Sequence, residues 1–536
     1  MTNALANAMA KESHAKLTEN GAYALDSSLD PVLDLFAEIG ALRIRLDTAI
    51  IDLFEKAYCA DKLLATKILF YARDIREGLG ERRVFRILLK YCAATHPEAI
   101  HNNIKLIGEY GRYDDLYVLI DTKLEDLMWS EMKRQFNEDL ENMQNGNPIS
   151  LLAKWIKTPD ASSANTRALG IRTAKKLGYT VYEFKRILRK MRKYLKIVEA
   201  KMSTNEWASI DYESVPSRAA MLYTKAFYRH DKERYGKYIE DVKNGDKKIN
   251  AGALYPYDII ERYNIYDLQD CHRSEPNDVL EELWKALPNY VSDDAGNMLV
   301  MADVSGSMGG RPMATSIGLA IYFAERNKGD FHNMFMTFSG DPYVVSIQGD
   351  TLYSKIASVF SKGVGFNTDI VAAFRNLLRM AIASRAPAED MPSVIIIVSD
   401  MEFDMIGPNS NKTFYDDMQD EYTTFGYTIP HIVFWNVNAR NDTFHATSDI
   451  AGVSMVSGSS VTSFKNMVAA IEGTTPLEFM LSVINVERYD AITIVEQSEL
   501  NDDQKKSLEE LDCFYKSRPK STFVYSDPSG SGKTWQ

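Results

Sequence analysis

The 536-residue sequence predicts an α + α/β protein, in which an irregular, solenoid-like helical-repeat region precedes an α/β domain with a mostly parallel sheet. Three observations lead there. From residue 30 to about residue 287, apolar positions recur at helical spacing in segments of roughly three to four turns, punctuated by glycine, proline or asparagine. From residue 297 to about 493, short apolar runs alternate with helical stretches, the pattern of strands joined by helical crossovers. Two of those runs, 298–302 and 394–398, finish at an acid, Asp303 and Asp400.

In order along the chain, residues 1–25 are small and polar and are expected to form a flexible leader. Residues 26–292 are expected to form the helical-repeat domain. Leu63, Leu64, Ile68 and Leu69 mark one helix, Gly78-Leu79-Gly80 ends it, Val84, Ile87, Leu88 and Tyr91 mark the next, and Pro97 opens another that closes near Gly111. Short helices joined by tight turns suggest stacked hairpins, although no clean internal repeat is present. Residues 293–495 should be the α/β domain, with strands at 299–302, 335–338, 344–347, 394–398, 432–435 and 453–456. Its helices should lie at 314–325, 353–360, 370–384, 414–425, 463–471 and 476–484. Residues 496–536 read as a charged helix (498–511) and a tail. The tail run Gly530-Ser531-Gly532-Lys533-Thr534 is not a phosphate loop, because Asp527 stands where the first glycine is required.

Composition narrows the function. The net charge of −12 argues against indiscriminate polyanion binding by the whole surface. Four scattered cysteines (Cys59, Cys92, Cys271, Cys513) with no Cys-x-x-Cys pair give neither a disulfide framework nor a zinc cluster, and a reducing cytoplasm fits best. No stretch approaches the roughly 20 apolar residues of a membrane span, so a soluble protein is expected. Eight scattered histidines form no nucleophile triad, and the adjacent Cys271-His272 reads as a loop pair rather than a catalytic dyad.

The most informative loop is Asp303-Val304-Ser305-Gly306-Ser307. Asp303 supplies a charged oxygen at a strand end, and Ser305 and Ser307 alternate onto one side of an extended loop. Further on, a glycine loop, Gly363-Val364-Gly365-Phe366-Asn367, delivers Thr368 ahead of a helix, and Asp400 ends the second apolar run. In a parallel sheet both strand ends reach the same edge, where such sheets bind ligands. Five oxygen donors suit Mg2+ or another divalent cation. A plainer reading makes Ser307 and Thr368 helix caps. The nearby Glu402 and Asp404 raise two-metal hydrolysis, though tuning of one site accounts for them more simply.

A second cluster is basic. Between residues 167 and 201 stand twelve Lys or Arg against two Glu. On a helix running from Thr180 to Met202, the residues Phe184, Ile187, Leu188, Met191, Leu195, Val198 and Met202 form an apolar stripe. Lys185, Arg189, Arg192, Lys193 and Lys196 project opposite, as a rail for phosphates or as a solvated face.

The three-part arrangement of Asp303-x-Ser305-x-Ser307, Thr368 and Asp400 resembles the metal-ion-dependent adhesion site of von Willebrand factor A domains, and thus implies a Rossmann-like A domain. Preceded by a helical array, it resembles the Ro (TROVE-type) RNA-binding proteins, and more closely an uncharacterised Ro-related family of phages, bacteria and plants. The stretches that carry this are Arg73-Asp74-Ile75-Arg76-Glu77-Gly78-Leu79-Gly80-Glu81-Arg82, Ile210-Asp211-Tyr212-Glu213-Ser214-Val215-Pro216-Ser217, Lys248-Ile249-Asn250-Ala251-Gly252 and Ser399-Asp400-Met401-Glu402-Phe403-Asp404. Glu77 and Leu79 depart from the glycine and basic residue expected there. In Ro proteins the helical array closes into a ring that holds RNA ends. The resemblance therefore implies a non-enzymatic RNA-binding scaffold, in the cytoplasm or, for a phage product, the host cytoplasm or virion, whose cation captures an acidic partner side chain. Two other readings fit the same residues: a protein-interaction or assembly module without nucleic acid, and a hydrolase using Asp303, Asp400 and Glu402. Oligomeric state is left open.

Overall fold

A computed structural model of the protein describes residues 4–263, 275–291, 297–337, 342–361, 368–405, 413–462 and 474–494. The expected helix at 463–471, the 498–511 helix, the tail, the Cys271-His272 pair, Cys513 and the glycines ahead of Thr368 lie outside the described residues. The chain divides into two compact units, residues 1–88 with 205–491 and residues 89–204 with 492–536.

The first unit begins with a two-stranded antiparallel hairpin, β1 (Ala15–Leu17) and β2 (Tyr23–Leu25). Its main sheet has six strands: β3 (Met298–Ala302), β4 (Met334–Thr337), β5 (Val344–Ser346), β6 (Val394–Ser399), β7 (His431–Asn436) and β8 (Val453–Ser457). They are ordered β5-β4-β3-β6-β7-β8, all parallel except β5 on β4. Every residue of β3, β6, β7 and β8 is buried, which is why those strands read as unbroken apolar runs rather than alternating ones. The expected helices at 370–384 and 476–484 match Ile370–Ser384 and Pro476–Ile484, and the other described strands and helices of this region agree to within a few residues.

One expectation needs correction. Residues 15–25 are not a free leader: Leu25 and Phe444 exchange backbone hydrogen bonds of 2.9 Å, and Ala22, Ala24 and Leu25 are buried. Nor are all the helices before residue 292 spatially apart from the sheet: residues 1–88 and 205–291 fall in the same compact unit as the strands. The helix Pro31–Glu38 lies against β8, and the helix Pro256–Ile260 packs along Arg311–Arg326. A sheet apolar on both faces needs cover, and at β8 part of it comes from the N-terminal helix Pro31–Glu38. The approach is close: a Cβ on Gly40 would lie 2.7 Å from the Ser457 carbonyl carbon.

The second unit is helical. It contains Glu125–Gln144, Ala164–Leu177 and Val181–Tyr194, packed through Phe136 against Tyr179 and Phe184. Among the described residues no helix is long and apolar enough to cross a membrane.

Candidate functional site

The chain leaves β3 toward β4 on one side of the sheet, while β6 flanks β3 on the other. The carboxyl ends of β3 and β6 therefore border a topological switch point, where open α/β sheets form a crevice. Ala302 pairs with Val398, and the Asp303 amide donates to the Val398 carbonyl at 2.9 Å, so the two acid-bearing ends emerge side by side.

Asp303 is fully buried. Its Oδ1 accepts from the Ser305 amide at 2.8 Å and its Oδ2 from the Ser399 hydroxyl at 2.9 Å. Burial, followed by the neighbouring Asp400 charge, pushes its pKa up to about 6, even though the Ser305 and Ser399 hydrogen bonds pull it down. Among the described residues no cation pairs with it, so its charge is met only by hydrogen bonds. Ser305 Oγ and Ser307 Oγ are 3.0 Å apart, Ser305 buried and Ser307 exposed. Neither caps a helix: the turn Gly306–Met308 has no side-chain cap, and Arg311–Arg326 starts from Gly310.

Asp400 is also buried, and its Oδ2 is held by Arg440 at 2.9 Å. The next residue, Met401, has φ +66°, a left-handed conformation unfavourable for a side chain with a Cβ. That turn lets Glu402 point inward, where its carboxylate accepts from Thr443 at 2.9 Å, Asn441 at 3.2 Å and the Glu19 amide at 2.6 Å. Thr368 is fixed to the same loop. Its amide donates to Asp404 Oδ2 at 2.9 Å, and its hydroxyl lies 3.1 Å from Asp404 Oδ1. The following Asp369, not Thr368, caps the helix by accepting from the Ala372 amide.

Asp303, Ser305, Ser307 and Asp400 therefore gather at one sheet edge, and Thr368 joins them through Glu402 and Asp404. Sequence reasoning missed Arg440, in the loop after β7, and Glu19 and Asn20 at the β1–β2 turn. A charged residue following another parallel strand was the available signal for Arg440; residues some 380 positions away carried none. Among the described residues no cluster of three His, Cys, Asp or Glu could hold a metal, so any cation here would depend on the hydroxyls.

The basic stretch is not one helix. It runs from Val181 to Tyr194, breaks at Lys196 with φ +51°, and resumes over Val198–Ser203. Phe184, Leu188, Met191 and Val198 are buried, while Ile187, Leu195 and Met202 are only half-buried. Of the five candidate cations, Arg189, Lys193 and Lys196 are exposed. Lys185 pairs with Asp160 at 3.5 Å, and Arg192 Nε donates to the Ala153 carbonyl at 2.8 Å. Arg186 and Lys190, which the sequence reading left out, are exposed beside them.

A buried oxygen-rich edge on a six-stranded, mostly parallel sheet defines the class: an α + α/β protein with its candidate site at a sheet switch point. Comparison with known proteins then shows what the chain is similar to. Residues 18–146 and 160–297 match a family described as a domain of unknown function (DUF2828), and residues 297–510 match another (DUF7788). The chain is 27% identical over 541 residues to the uncharacterized protein L728 of Acanthamoeba polyphaga mimivirus, covering 92% of this chain and 93% of that one. The solved RO (RSR) protein of Deinococcus radiodurans aligns over 82% of this chain and 92% of its own at 15% identity, with a TM-score of 0.32, a score at which two chains need not share a fold.

Proposed function

We propose that the sheet unit is a von Willebrand A-like domain with a divalent-cation site on Asp303, Ser305, Ser307, Thr368 and Asp400, and that the protein is a non-enzymatic scaffold which captures an acidic partner group there. The observation that carries this reading is the pairing of Asp303 and Asp400 at adjacent strand ends, with Asp303 buried and, among the described residues, paired with no cation. An all-oxygen donor set suits Mg2+. When bound, the cation supplies a positive centre to which a Glu or Asp of the partner makes a charge-assisted bond that a neutral side chain cannot match. The residues of this chain do the rest: Ser399 and the Ser305 amide orient Asp303, and Asp404 orients Thr368. Glu402 is engaged with Thr443, Asn441 and the Glu19 amide, which favours the scaffold over the hydrolase.

In the helical unit, the exposed Arg186, Arg189, Lys190, Lys193 and Lys196 support binding of RNA phosphates on an otherwise acidic protein. The competing reading, an interaction module without nucleic acid, draws support from Lys185 and Arg192 having partners in the chain itself, Asp160 at the surface and the Ala153 carbonyl. Two titrations separate them. Calorimetry with Mg2+ should show binding that Asp303→Ala removes, and RNA should bind at low salt. A protein that binds Mg2+ but no RNA at roughly 50 mM salt is the interaction module.

A further inference from the structure

The β1–β2 turn sits on the candidate cation site. Thr18 Oγ1 donates to the Phe403 carbonyl at 2.7 Å, and the Asn20 amide donates to the Glu402 carbonyl at 2.7 Å and to the Thr368 hydroxyl at 3.1 Å. The Glu19 carboxylate takes hydrogen bonds from Asn441 at 2.9 Å and from Arg440 at 2.7 Å, and that same guanidinium holds Asp400 at 2.9 Å. Two of the five candidate ligands are thus already engaged, Thr368 directly by the turn and Asp400 through an arginine that the turn steadies.

We propose that the N-terminal hairpin is a built-in latch that competes with the cation: Asn20 on the Thr368 hydroxyl and the Glu19–Arg440 pair on Asp400 hold the site closed, and cation binding releases the turn. This rests on the cation reading above.

The build of the contact suits a latch rather than a permanent brace. The base of the hairpin is anchored, through the Leu25–Phe444 bridge and through Lys16 Nζ, which donates to the Asp442 carbonyl at 2.8 Å. The tip is different. Glu19 and Asn20 are exposed, and ion pairs of that exposure contribute little to stability. Arg440 leaves its buried Nε–H without a hydrogen-bond partner, so its seat on Asp400 is incomplete. Arg440 also provides, from within the chain, the positive charge beside Asp400 that a divalent cation would bring. Glu19 is an acid beside the site, so the chain's own carboxylate rests near where an acidic partner would arrive. Competition is reciprocal: whatever favours the cation must loosen the turn by the same factor.

The test uses the full chain and Mg2+ alone. Arg440→Gln and Asn20→Ala should each tighten Mg2+ binding by calorimetry, Arg440→Gln by about tenfold, the scale of one charge-assisted hydrogen bond withdrawn from the competitor. In the wild type, saturating Mg2+ should speed hydrogen exchange at the Glu19 and Ala22 amides, which are bonded to Glu402 and to Thr18 Oγ1. Unchanged or weaker Mg2+ binding in both variants, or unchanged exchange in the turn, overturns the latch while leaving the cation site standing. Absence of Mg2+ binding in the wild type and both variants overturns the cation reading and the latch with it.

Discussion

The sheet edge and the basic helix present charge in opposite ways. At the sheet edge the carboxylates of Asp303 and Asp400 are buried, oriented by hydrogen bonds and set side by side by strand register. On Val181–Tyr194 four of the cations, Arg186, Arg189, Lys190 and Lys193, are exposed on the helix surface. Removing water from like charges raises the free energy of the ionised state, so the sheet edge is poised to take a counter-charge at one point. Exposed cations on a solvated surface act additively and over distance, and salt weakens them. One region is built for a single compact ion, the other for an extended polyanion.

The largest effect expected of this contrast is in salt dependence. Changing Arg186, Arg189, Lys190 and Lys193 to Glu should abolish RNA binding, whereas wild-type affinity should fall on the order of a thousandfold between roughly 50 and 200 mM salt if about six phosphates are contacted. Changing Arg192 instead should disturb the helical unit more than RNA affinity, because its half-buried guanidinium donates to the Ala153 carbonyl. Filter binding combined with circular dichroism checks both. Equal loss of affinity from the two changes would erase the distinction between exposed and engaged cations.

A second test concerns buried charge. Asp34, in the first turn of Pro31–Glu38, has its pKa pushed up by burial from 3.8 to about 6, although Ser27 and Ser28 hydrogen-bond it. A raised acid binds its proton more tightly when folded than when unfolded. Its stabilising contribution is therefore fully present below about pH 3.8 and is lost as pH rises through about 6. The total is roughly 3 kcal/mol. Asp34→Asn should shrink the decline of the denaturation midpoint between pH 4 and pH 7 by about that amount; an unchanged decline would show that Asp34 ionises freely in the fold. Asp303 contributes a slope of the same sign.

Packing comes next. Gly40→Ala places a methyl 2.7 Å from backbone atoms of Ser457 and should cost about 1 to 3 kcal/mol, read as a lower urea midpoint for the sheet unit. No loss would mean that the N-terminal helix does not rest on β8. The smallest effect is at Thr180, whose side chain and Glu183 form a capping box at the start of the basic helix. Thr180→Ala should cost about 1 kcal/mol without changing RNA affinity, because the cap fixes the helix and not the phosphates.

How much was legible in the sequence follows from what each feature depends on. The strands β3, β6, β7 and β8 were readable because burial on both faces writes itself as a continuous apolar run, and Asp303 and Asp400 were readable because they end two such runs. The helix Ile370–Ser384 was readable to the residue: Asp369 caps it and its apolar spacing is regular. What escaped depends on chain segments far apart. The turn at Glu19 and Asn20 is polar and short, and its order comes from Glu402, Thr368 and Arg440, hundreds of residues away. The packing of the N-terminal segment on the sheet escaped for the same reason: helical periodicity shows that Pro31–Glu38 has an apolar face but not that β8 covers it. On the basic helix, amphipathicity gave the buried face, but only the neighbouring Asp160 and Ala153 decide which cations remain free. The break at Lys196 carried no glycine, proline or asparagine to announce it.

The most direct measurement of the central claim is thermal unfolding of the full chain as a function of Mg2+, wild type against Asp303→Asn. A ligand that binds only the folded state stabilises it by about 2.7 kcal/mol at one hundred times its Kd, so the wild-type transition should climb steadily with Mg2+. Asp303→Asn, which keeps the shape but removes the charge, should not respond. If the two proteins rise together, the strand ends of β3 and β6 do not form the cation site.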